Sequence, residues 1–191
     1  MGNGNEPVVN LISKPENMLK TIYTACRTCY SADYPINIYE NAADEEKMLK
    51  LIERVIGSGH FSTIEHIQVT FAISNVSRAC THQLVRHRHM SFSQKSQRYV
   101  KEKGQFDYII PPTVAKNPEL LAKYKQFMEF TANFYTEMTE AGIPAEDARF
   151  VLPNAAASSL VTSLNLREMI HLAHFVFVDG FYCVHYFIFS F

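Results

Sequence analysis

The sequence predicts a single α+β domain, and three local patterns indicate this fold class. Apolar residues recur at intervals of three and four from Ala43 to Ile56, which is typical of an amphipathic helix. Apolar and polar residues alternate from Ile67 to Ser74, which indicates a half-buried strand. The chain has 191 residues and no internal repeat or long linker, so both kinds of element belong to one compact domain.

Two helices are predicted before the alternating strand. The first opens at Pro15 and ends in the turn at residues 31–35, and its apolar residues stand at helical spacing. The second covers residues 43–56. Gly57 and Gly59 follow it directly, where a helix C-cap belongs.

The stretch after the strand is predicted as a helix, a loop and a second strand. Either Asn75 or Ser77 can cap a helix that runs to about Arg86. Residues 89–98 are polar and serine-rich without a sustained period, so we interpret them as a functional loop. Residues 106–110 are predicted as a strand that ends at a pair of prolines.

The C-terminal third is predicted to be helical. Asn117 as N-cap and Pro118 at the first helical position announce a long helix that ends at Gly142. Its core face is predicted from six residues at helical spacing, namely Leu120, Tyr124, Phe127, Thr131, Phe134 and Met138. A short helix at 144–150 and another at about 159–173 complete the prediction.

Charge and cysteine content exclude several classes of protein. The net charge of −1 does not fit a polybasic nucleic-acid coat or an acidic tail. Cys26 and Cys29 form a Cys-x-x-Cys without a second pair at zinc-ribbon spacing, so we expect reduced thiols and no metal site. The N-terminal residues have no basic or apolar run of a secretory signal, which predicts a cytoplasmic protein without a membrane partner.

The segment from Arg78 to Lys103, the basic segment below, holds seven of the eighteen lysines and arginines and one acid, Glu102. Four of the seven are arginines, whose planar guanidinium groups bind phosphate or carboxylate in a bidentate way. Hydroxyl and imidazole donors accompany them at His82, His87, His89, Ser91, Ser93 and Ser96. This composition predicts an anionic ligand.

Three interpretations of the basic segment compete. It could be an ordinary basic surface with satisfied histidines. It could bind nucleic acid, although only Phe92 and Tyr99 are aromatic and no RNA or DNA module signature surrounds them. The favoured hypothesis is a small phosphorylated ligand, because Arg86 to Arg98 supplies several donors near one helix end.

Several motifs in order and spacing resemble the flavin-dependent thymidylate synthases. The first is Arg86-His87-Arg88 followed, after seven residues, by Ser96-Gln97-Arg98-Tyr99. The stretch Gly59 to His66 before the strand and the helix end Gln83 to Arg86 match the same family. So do the later blocks Ala148 to Pro153 and Asn165 to Glu168. The similarity extends from about Asn17 to Ala173.

The resemblance implies a reaction and a set of ligands. Members of this family methylate dUMP to dTMP with methylenetetrahydrofolate as carbon donor, FAD as redox carrier and NADPH as reductant. The chain has no Gly-x-Gly-x-x-Gly, which agrees with a non-Rossmann fold whose flavin lies between subunits. By analogy we expect a homotetramer with shared sites and no nucleic-acid partner.

The resemblance also assigns residues. Catalytic roles are implied for Arg86, Arg88 and Ser96. FAD-binding positions are Cys29, His60, Ser62, Glu65, Arg86, His87, Arg88, Asn165 and His171. Positions that bind dUMP are Gln83, Arg86, Gln94, Ser96, Arg98 and Arg149. No base adjoins Ser96 in the sequence, so we expect its hydroxyl to donate to the substrate rather than attack it.

The C-terminal end departs from the family pattern, which divides the chain into a synthase domain at 1–174 and an atypical tail at 175–191. The tail holds eight of the 24 aromatic residues. Val176 stands about where the family has an arginine near the uracil ring. A frameshifted or truncated reading is the favoured explanation, and a divergent C-terminal strand is the alternative.

The first testable prediction is that this chain turns over far more slowly than a family member that carries the arginine. Loss of one charged donor at a site of developing negative charge costs ~10²–10³ in rate, and Val176 cannot donate. Both enzymes are assayed side by side for dTMP formation. Equal turnover would show that another residue, such as His171 or His174, replaces the arginine.

Overall fold

The computed structural model describes residues 6–102 and 106–179, with side chains as far as His174. It confirms a mixed α+β domain built on one four-stranded antiparallel sheet in the order β1-β2-β4-β3. The strands are β1 (Val8–Ser13), β2 (Gln68–Ser77), β3 (Met90–Gln94) and β4 (Ala157–Asn165). The helices are α1 (Met18–Thr28), α2 (Pro35–Glu40), α3 (Glu45–Gly57), α4 (Arg78–Leu84), α5 (Pro112–Ala115), α6 (Pro118–Glu140), α7 (Ala145–Ala148) and α8 (Leu166–Asp179).

The main hydrophobic core lies between one face of the sheet and a layer of helices. Alternate residues of β2 and β4 point into it, among them Phe71 and Leu164, which are almost completely buried. Ile22 of α1, Ile52 of α3 and Leu172 of α8 pack against them. Burial of one such side chain contributes about 1.5–3 kcal/mol, so this contact fixes the helical layer on the sheet.

A smaller core joins α6 to the start of β4. Phe106, Met128, Ala132 and Ala156 are buried together, and the Tyr124 hydroxyl donates to the carbonyl oxygen of Ile109 at 2.8 Å. The segment around Tyr108 forms an isolated bridge to Ala156, the residue before β4. The strand predicted at 106–110 is therefore wrong, because these residues pack a helix against the sheet without extending it.

The helices predicted before residue 150 are present, and side-chain caps start several of them. Ser77, one of the two candidates, accepts the N–H of Cys80 and starts α4. The Asn117 side chain accepts the N–H groups of Glu119 and Leu120 and starts α6. The predicted short helix after Gly142 is present as α7 and a 3-10 turn, Arg149–Val151.

Two strands lie where the sequence predicted other structure. The predicted helix at 159–173 is wrong in its first half, where β4 occupies the centre of the sheet. Leu160 and Leu164 are four residues apart, which fits a helix period and a strand period equally. The predicted loop at 89–98 contains β3, whose inward side ends in the polar Gln94 and so lacked an apolar alternation. The sequence prediction also missed β1 and α2.

The predicted core face of α6 is only partly right. Thr131 is buried as expected, but Phe127 is 59% exposed and Phe134 is 42% exposed. Met128 and Tyr135 are buried in their place. Aromatic residues occur all around this helix, so periodicity alone did not identify the side that faces the small core.

The C-terminal helix α8 continues past residue 174, where the boundary between the synthase domain and the tail was predicted. Its backbone continues to Asp179, whereas the side chain of Val176 and the aromatic residues from 180 onward lie outside the described residues. Within the described residues, no helix is both long and apolar enough to cross a membrane.

Two glycines end helices in the same way. Gly59 and Gly142 have φ angles of +89° and +87°, and each follows the C-cap residue of its helix, α3 or α6. After α3, the N–H groups of Gly59 and His60 bond the carbonyls of Ile56 and Val55, which is the Schellman pattern. The predicted stop at Gly142 is confirmed.

The second prediction concerns Gly59→Ala, which we expect to lower the free energy of unfolding by about 1–2 kcal/mol because a Cβ disfavours positive φ. The matched control is Gly57→Ala in the last turn of α3, where the space is equally open and φ is helical. The control is expected to be neutral or stabilising. Equal denaturant midpoints for both variants would contradict the strain argument.

Candidate functional site

Strand pairing gathers the predicted site residues at two ends of the sheet. The start of β2 and the start of β3 both adjoin the end of β4, through the pairs Gln68↔Asn165 and Met90↔Leu164. This brings together residues 60–66, 86–89 and 165–171, which we call the cofactor end because most of the predicted FAD contacts fall there. The end of β2, the end of β3 and the start of β4 meet at the opposite end of the sheet, which we call the nucleotide end after the dUMP contacts predicted for Ser96, Arg98 and Arg149.

The cofactor end is organised by the junction between β4 and α8. Asn165 caps α8, because its side-chain oxygen accepts the N–H of Glu168 at 2.8 Å. The N–H of Leu166 donates to the carbonyl of Ile67 at 3.0 Å and so ties the junction to the start of β2. These two bonds set the direction of α8 and turn Glu168 towards the interior.

Three side chains meet there: His87, Glu168 and His171. A Glu168 carboxylate oxygen lies 3.4 Å from Nδ1 of His87, and both side chains are largely buried. The two imidazole rings lie edge to face with centroids 6.0 Å apart. The ligand atoms of the three residues lie within 4.8 Å of one another, a spacing that could also hold a cation. The predicted absence of a metal stays a prediction.

No role for Glu168 was predicted from the sequence. It stands three residues after Asn165, so a correct boundary between β4 and α8 would have shown an N-cap followed by an acidic third position. Because β4 was predicted as the first half of a helix, that signal was lost.

The other predicted cofactor residues of this end surround the start of β2. Glu65 forms an ion pair with Arg167 at 2.5 Å, and the Arg167 guanidinium lies over the ring of Phe61. His60 and Ser62 are exposed beside or within a 3-10 turn, Phe61–Ile64. Strand pairing therefore brings Glu65 and Asn165 to the same end of the sheet. The FAD-binding role predicted for both residues requires such proximity and stays a prediction.

The guanidinium groups of Arg86 and Arg88 are exposed on either side of the partly buried His87. Among the described side chains, those of residues 6–102 and 106–174, neither forms an ion pair with a carboxylate. Gln83 is exposed one turn earlier. These cations face solvent, where an anion can reach them.

At the nucleotide end, residues 96–98 meet the segment that follows α6. One Arg98 nitrogen lies 3.8 Å from the Glu146 carboxylate, and Nε of Arg149 donates to the backbone carbonyl of Glu146 at 3.1 Å. The Ser96 hydroxyl oxygen accepts the N–H of Arg98 at 3.2 Å, which fixes the turn after β3. Ser96, Arg98 and Arg149 are thus gathered as predicted for residues of one site.

A cavity of about 270 Å³, the cationic cleft below, opens beside these residues. Its lining residues are Arg78, His82, Gln97, Arg149, Phe150, Leu152, Pro153 and Asn154, with no carboxylate among them. Burial, and next the charge of Arg149, lower the pKa of Arg78. Two guanidinium groups beside a cavity that two side-chain amides also line are suited to an anion. The sequence analysis counted Arg78 and His82 in the basic segment but did not assign them to a site.

The side chain of Gln94 forms hydrogen bonds inside the fold. Its side-chain nitrogen donates to the hydroxyls of Thr81 at 2.8 Å and Ser158 at 3.0 Å, and so links β3 to α4 and β4. Both donors of the amide are therefore used inside the fold. A role in substrate binding stays a prediction for this residue.

The cysteines of the Cys-x-x-Cys differ in their surroundings. Cys26 is buried in the main core, where burial raises the pKa of its thiol despite a hydrogen bond with Thr63. Cys29 is exposed at the C-cap of α1. The pair thus consists of a buried protonated thiol and an accessible one, and the flavin contact expected for Cys29 stays a prediction.

Comparison with known proteins identifies this arrangement. The non-Rossmann sheet with an arginine-lined cleft is an arrangement suited to an anionic ligand. The family model described as "Thymidylate synthase complementing protein" matches residues 10–176. The chain therefore belongs to this family.

The curated relatives give the family its activity. A flavin-dependent thymidylate synthase of Nitratidesulfovibrio vulgaris is 43% identical over 178 residues, covering 87% of this chain and 72% of the relative. The proteins of the same name from Thermococcus onnurineus and Pyrococcus furiosus are 39% and 37% identical, each over 85% of this chain and 67% or 68% of their own length. This chain is thus an enzyme of the flavin-dependent thymidylate synthase family, and its cofactor is a flavin.

A solved structure supports the fold. The UMP/dUMP methylase PolB from Streptomyces cacaoi, bound with 5-Br dUMP, superposes with a TM-score of 0.76. The match covers 87% of this chain and 76% of PolB at 22% identity. The likeness confirms that the α+β sheet described above is a fold shared with a methylase.

The third prediction separates the structural role of Gln94 from a role in the site. Gln94→Ala is expected to lower the free energy of unfolding by about 1–3 kcal/mol, because two hydroxyl partners lose their donor. Ser93→Ala, on the exposed side of the same strand, is the control and is expected to have little effect. Unchanged stability together with a large loss of dUMP affinity would instead assign Gln94 to the substrate.

Proposed function

We propose that this chain catalyses the reductive methylation of dUMP to dTMP, with FAD as its flavin, methylenetetrahydrofolate as carbon donor and NADPH as reductant. Family membership supports the reaction class. The observation that carries the assignment of the substrate is the cationic cleft, whose lining contains two arginines and no carboxylate.

The cationic cleft suits the phosphate of a nucleotide. Arg78 and Arg149 repel each other across it, and a phosphate between them would convert that repulsion into two charge-assisted interactions. Gln97 lines the same cavity, and Arg98 is joined to the cleft through Glu146. We assign dUMP binding to this set together with Ser96 at the same end. Gln83 and Arg86 lie towards the cofactor end, so in this proposal they reach the nucleotide from an adjoining subunit.

The residues at the cofactor end fit a flavin dinucleotide. FAD carries a pyrophosphate, and the exposed guanidinium groups of Arg86 and Arg88 are available to it. His60, Ser62 and His171 add imidazole and hydroxyl groups on the surface of the same end. The bound flavin would supply the redox chemistry, while these residues bind and orient it.

Ser96 acts in this proposal as a hydrogen-bond donor. Its oxygen already accepts the N–H of Arg98, and among the described residues no imidazole or carboxylate is hydrogen-bonded to it. A serine without an adjacent base is a poor nucleophile. Its hydroxyl hydrogen is suited to a phosphate or a uracil carbonyl.

The distance between the two ends supports a shared site. The nine residues of β4 separate them by roughly 27 Å, since each residue of a strand advances about 3.4 Å. Methyl transfer requires the flavin, the folate and the uracil ring to meet. We therefore propose a homotetramer in which the nucleotide end of one subunit adjoins the cofactor end of another.

The proposal includes a cytoplasmic location and no nucleic-acid or membrane partner. Its support is the composition, namely a net charge of −1 and cysteines without a disulfide pattern.

The fourth prediction is that Arg98→Lys and Arg149→Lys each weaken dUMP binding by about five- to 150-fold. A lysine keeps the charge but cannot form a bidentate contact, a loss on the order of 1–3 kcal/mol. Binding of dUMP to the FAD-loaded protein is measured by calorimetry. Arg54→Lys, on the exposed face of α3, is the matched control and is expected to bind normally.

Three further results would bear on the proposal. Arg86→Lys is expected to weaken dUMP and FAD binding together, and Ser96→Ala to slow turnover without abolishing it. If Ser96→Ala still binds dUMP but forms no dTMP at all, the result would instead support Ser96 as the nucleophile. A purified protein that takes up no FAD, shows no flavin absorbance and binds RNA in a salt-sensitive manner would overturn the assignment.

A further inference from the structure

We propose that Glu168 is a positioning residue that holds His87 in the orientation needed to contact the flavin. The inference rests on the proposed function insofar as His87 belongs to the flavin site. It assigns a role to a residue that the motifs leave without one.

The burial of Glu168 requires a partner. Its side chain is only 7% exposed, and a carboxylate removed from water is costly unless a donor or a cation compensates it. Its own backbone N–H is bound to Asn165, which fixes the first turn of α8 and the direction of the carboxylate. The partner that this direction offers is the ring of His87, 3.4 Å away.

In this proposal the hydrogen of the His87 ring is assigned to Nδ1. A Glu168 carboxylate oxygen lies 3.4 Å from Nδ1, and a carboxylate in this position accepts a hydrogen bond from that nitrogen. Nε2 is then the remaining polar atom of the ring. A carboxylate that fixes the tautomer and angle of a functional imidazole is a recurring arrangement in proteins.

The contrast with the neighbouring residues supports this role. Arg86 and Arg88 are exposed, whereas the side chain of His87 is 19% exposed and lies against α8. His171, one turn after Glu168, meets the same ring edge to face. The neighbouring acid at this end, Glu65, is paired with Arg167. Glu168 therefore contacts His87 from the interior side of the ring.

The experiment measures FAD affinity and dUMP affinity separately in purified variants. Glu168→Ala is expected to raise the FAD dissociation constant about tenfold or more, and to leave dUMP affinity within twofold. Glu168→Gln keeps an oxygen that accepts from Nδ1, so it is expected to restore most of the FAD affinity. This rescue also keeps the variant informative if the alanine variant does not fold.

Two controls test whether the effect passes through His87. Met169→Ala removes a packing side chain from the same turn and should lower stability without changing FAD affinity. In a His87→Gln background, Glu168→Ala should have no further effect on FAD affinity. Additive effects of the two substitutions would show a merely structural role and overturn the proposal.

Three other outcomes separate a failure of the positioning role from a failure of the proposed function. If the unaltered protein binds FAD and Glu168→Ala binds it equally well, the positioning role is wrong and the proposed function stands. If the unaltered protein takes up no FAD, the proposed function itself fails. If Zn²⁺ binds with one-to-one stoichiometry and only the Zn²⁺ affinity depends on Glu168, the three side chains form a metal site and the proposal is overturned.

Discussion

The antiparallel pairing of β2 with β4 is the interaction on which the rest of the structure depends. It joins residues 80 to 97 positions apart, from Ser77↔Ala157 to Gln68↔Asn165, and a Thr70–Ser163 hydroxyl contact of 2.8 Å reinforces it. The same two strands supply the centre of the main core, so the helical layer packs only on a correctly registered sheet.

This pairing also divides the chemistry of the chain between two places. The start of β2 and the end of β4 carry the histidines and acids of the cofactor end, and the opposite termini carry the arginines of the cationic cleft. In one chain the two groups are separated by the length of a strand. An oligomer is the direct means of joining them, which makes the quaternary structure part of the catalytic proposal.

The junction of β4 and α8 shows how the fold and the site use the same atoms. Asn165 is the last residue of the strand, the cap of the helix and a predicted flavin contact. The turn that it stabilises brings Glu168 to His87. A substitution here would therefore change helix stability and cofactor geometry together, and separating the two effects requires variants that keep the cap and alter only the carboxylate.

The sequence by itself determined what depends on neighbours along the chain. The cap at Asn117, the stops at Gly59 and Gly142 and the alternation in β2 were all correctly predicted, because each is a local preference or a short pattern. Tertiary structure decided β3 and β4, the inward role of Gln94 and the pairing of Glu168 with His87. These depend on which distant strand supplies the hydrogen bonds, and no window of contiguous residues contains that information.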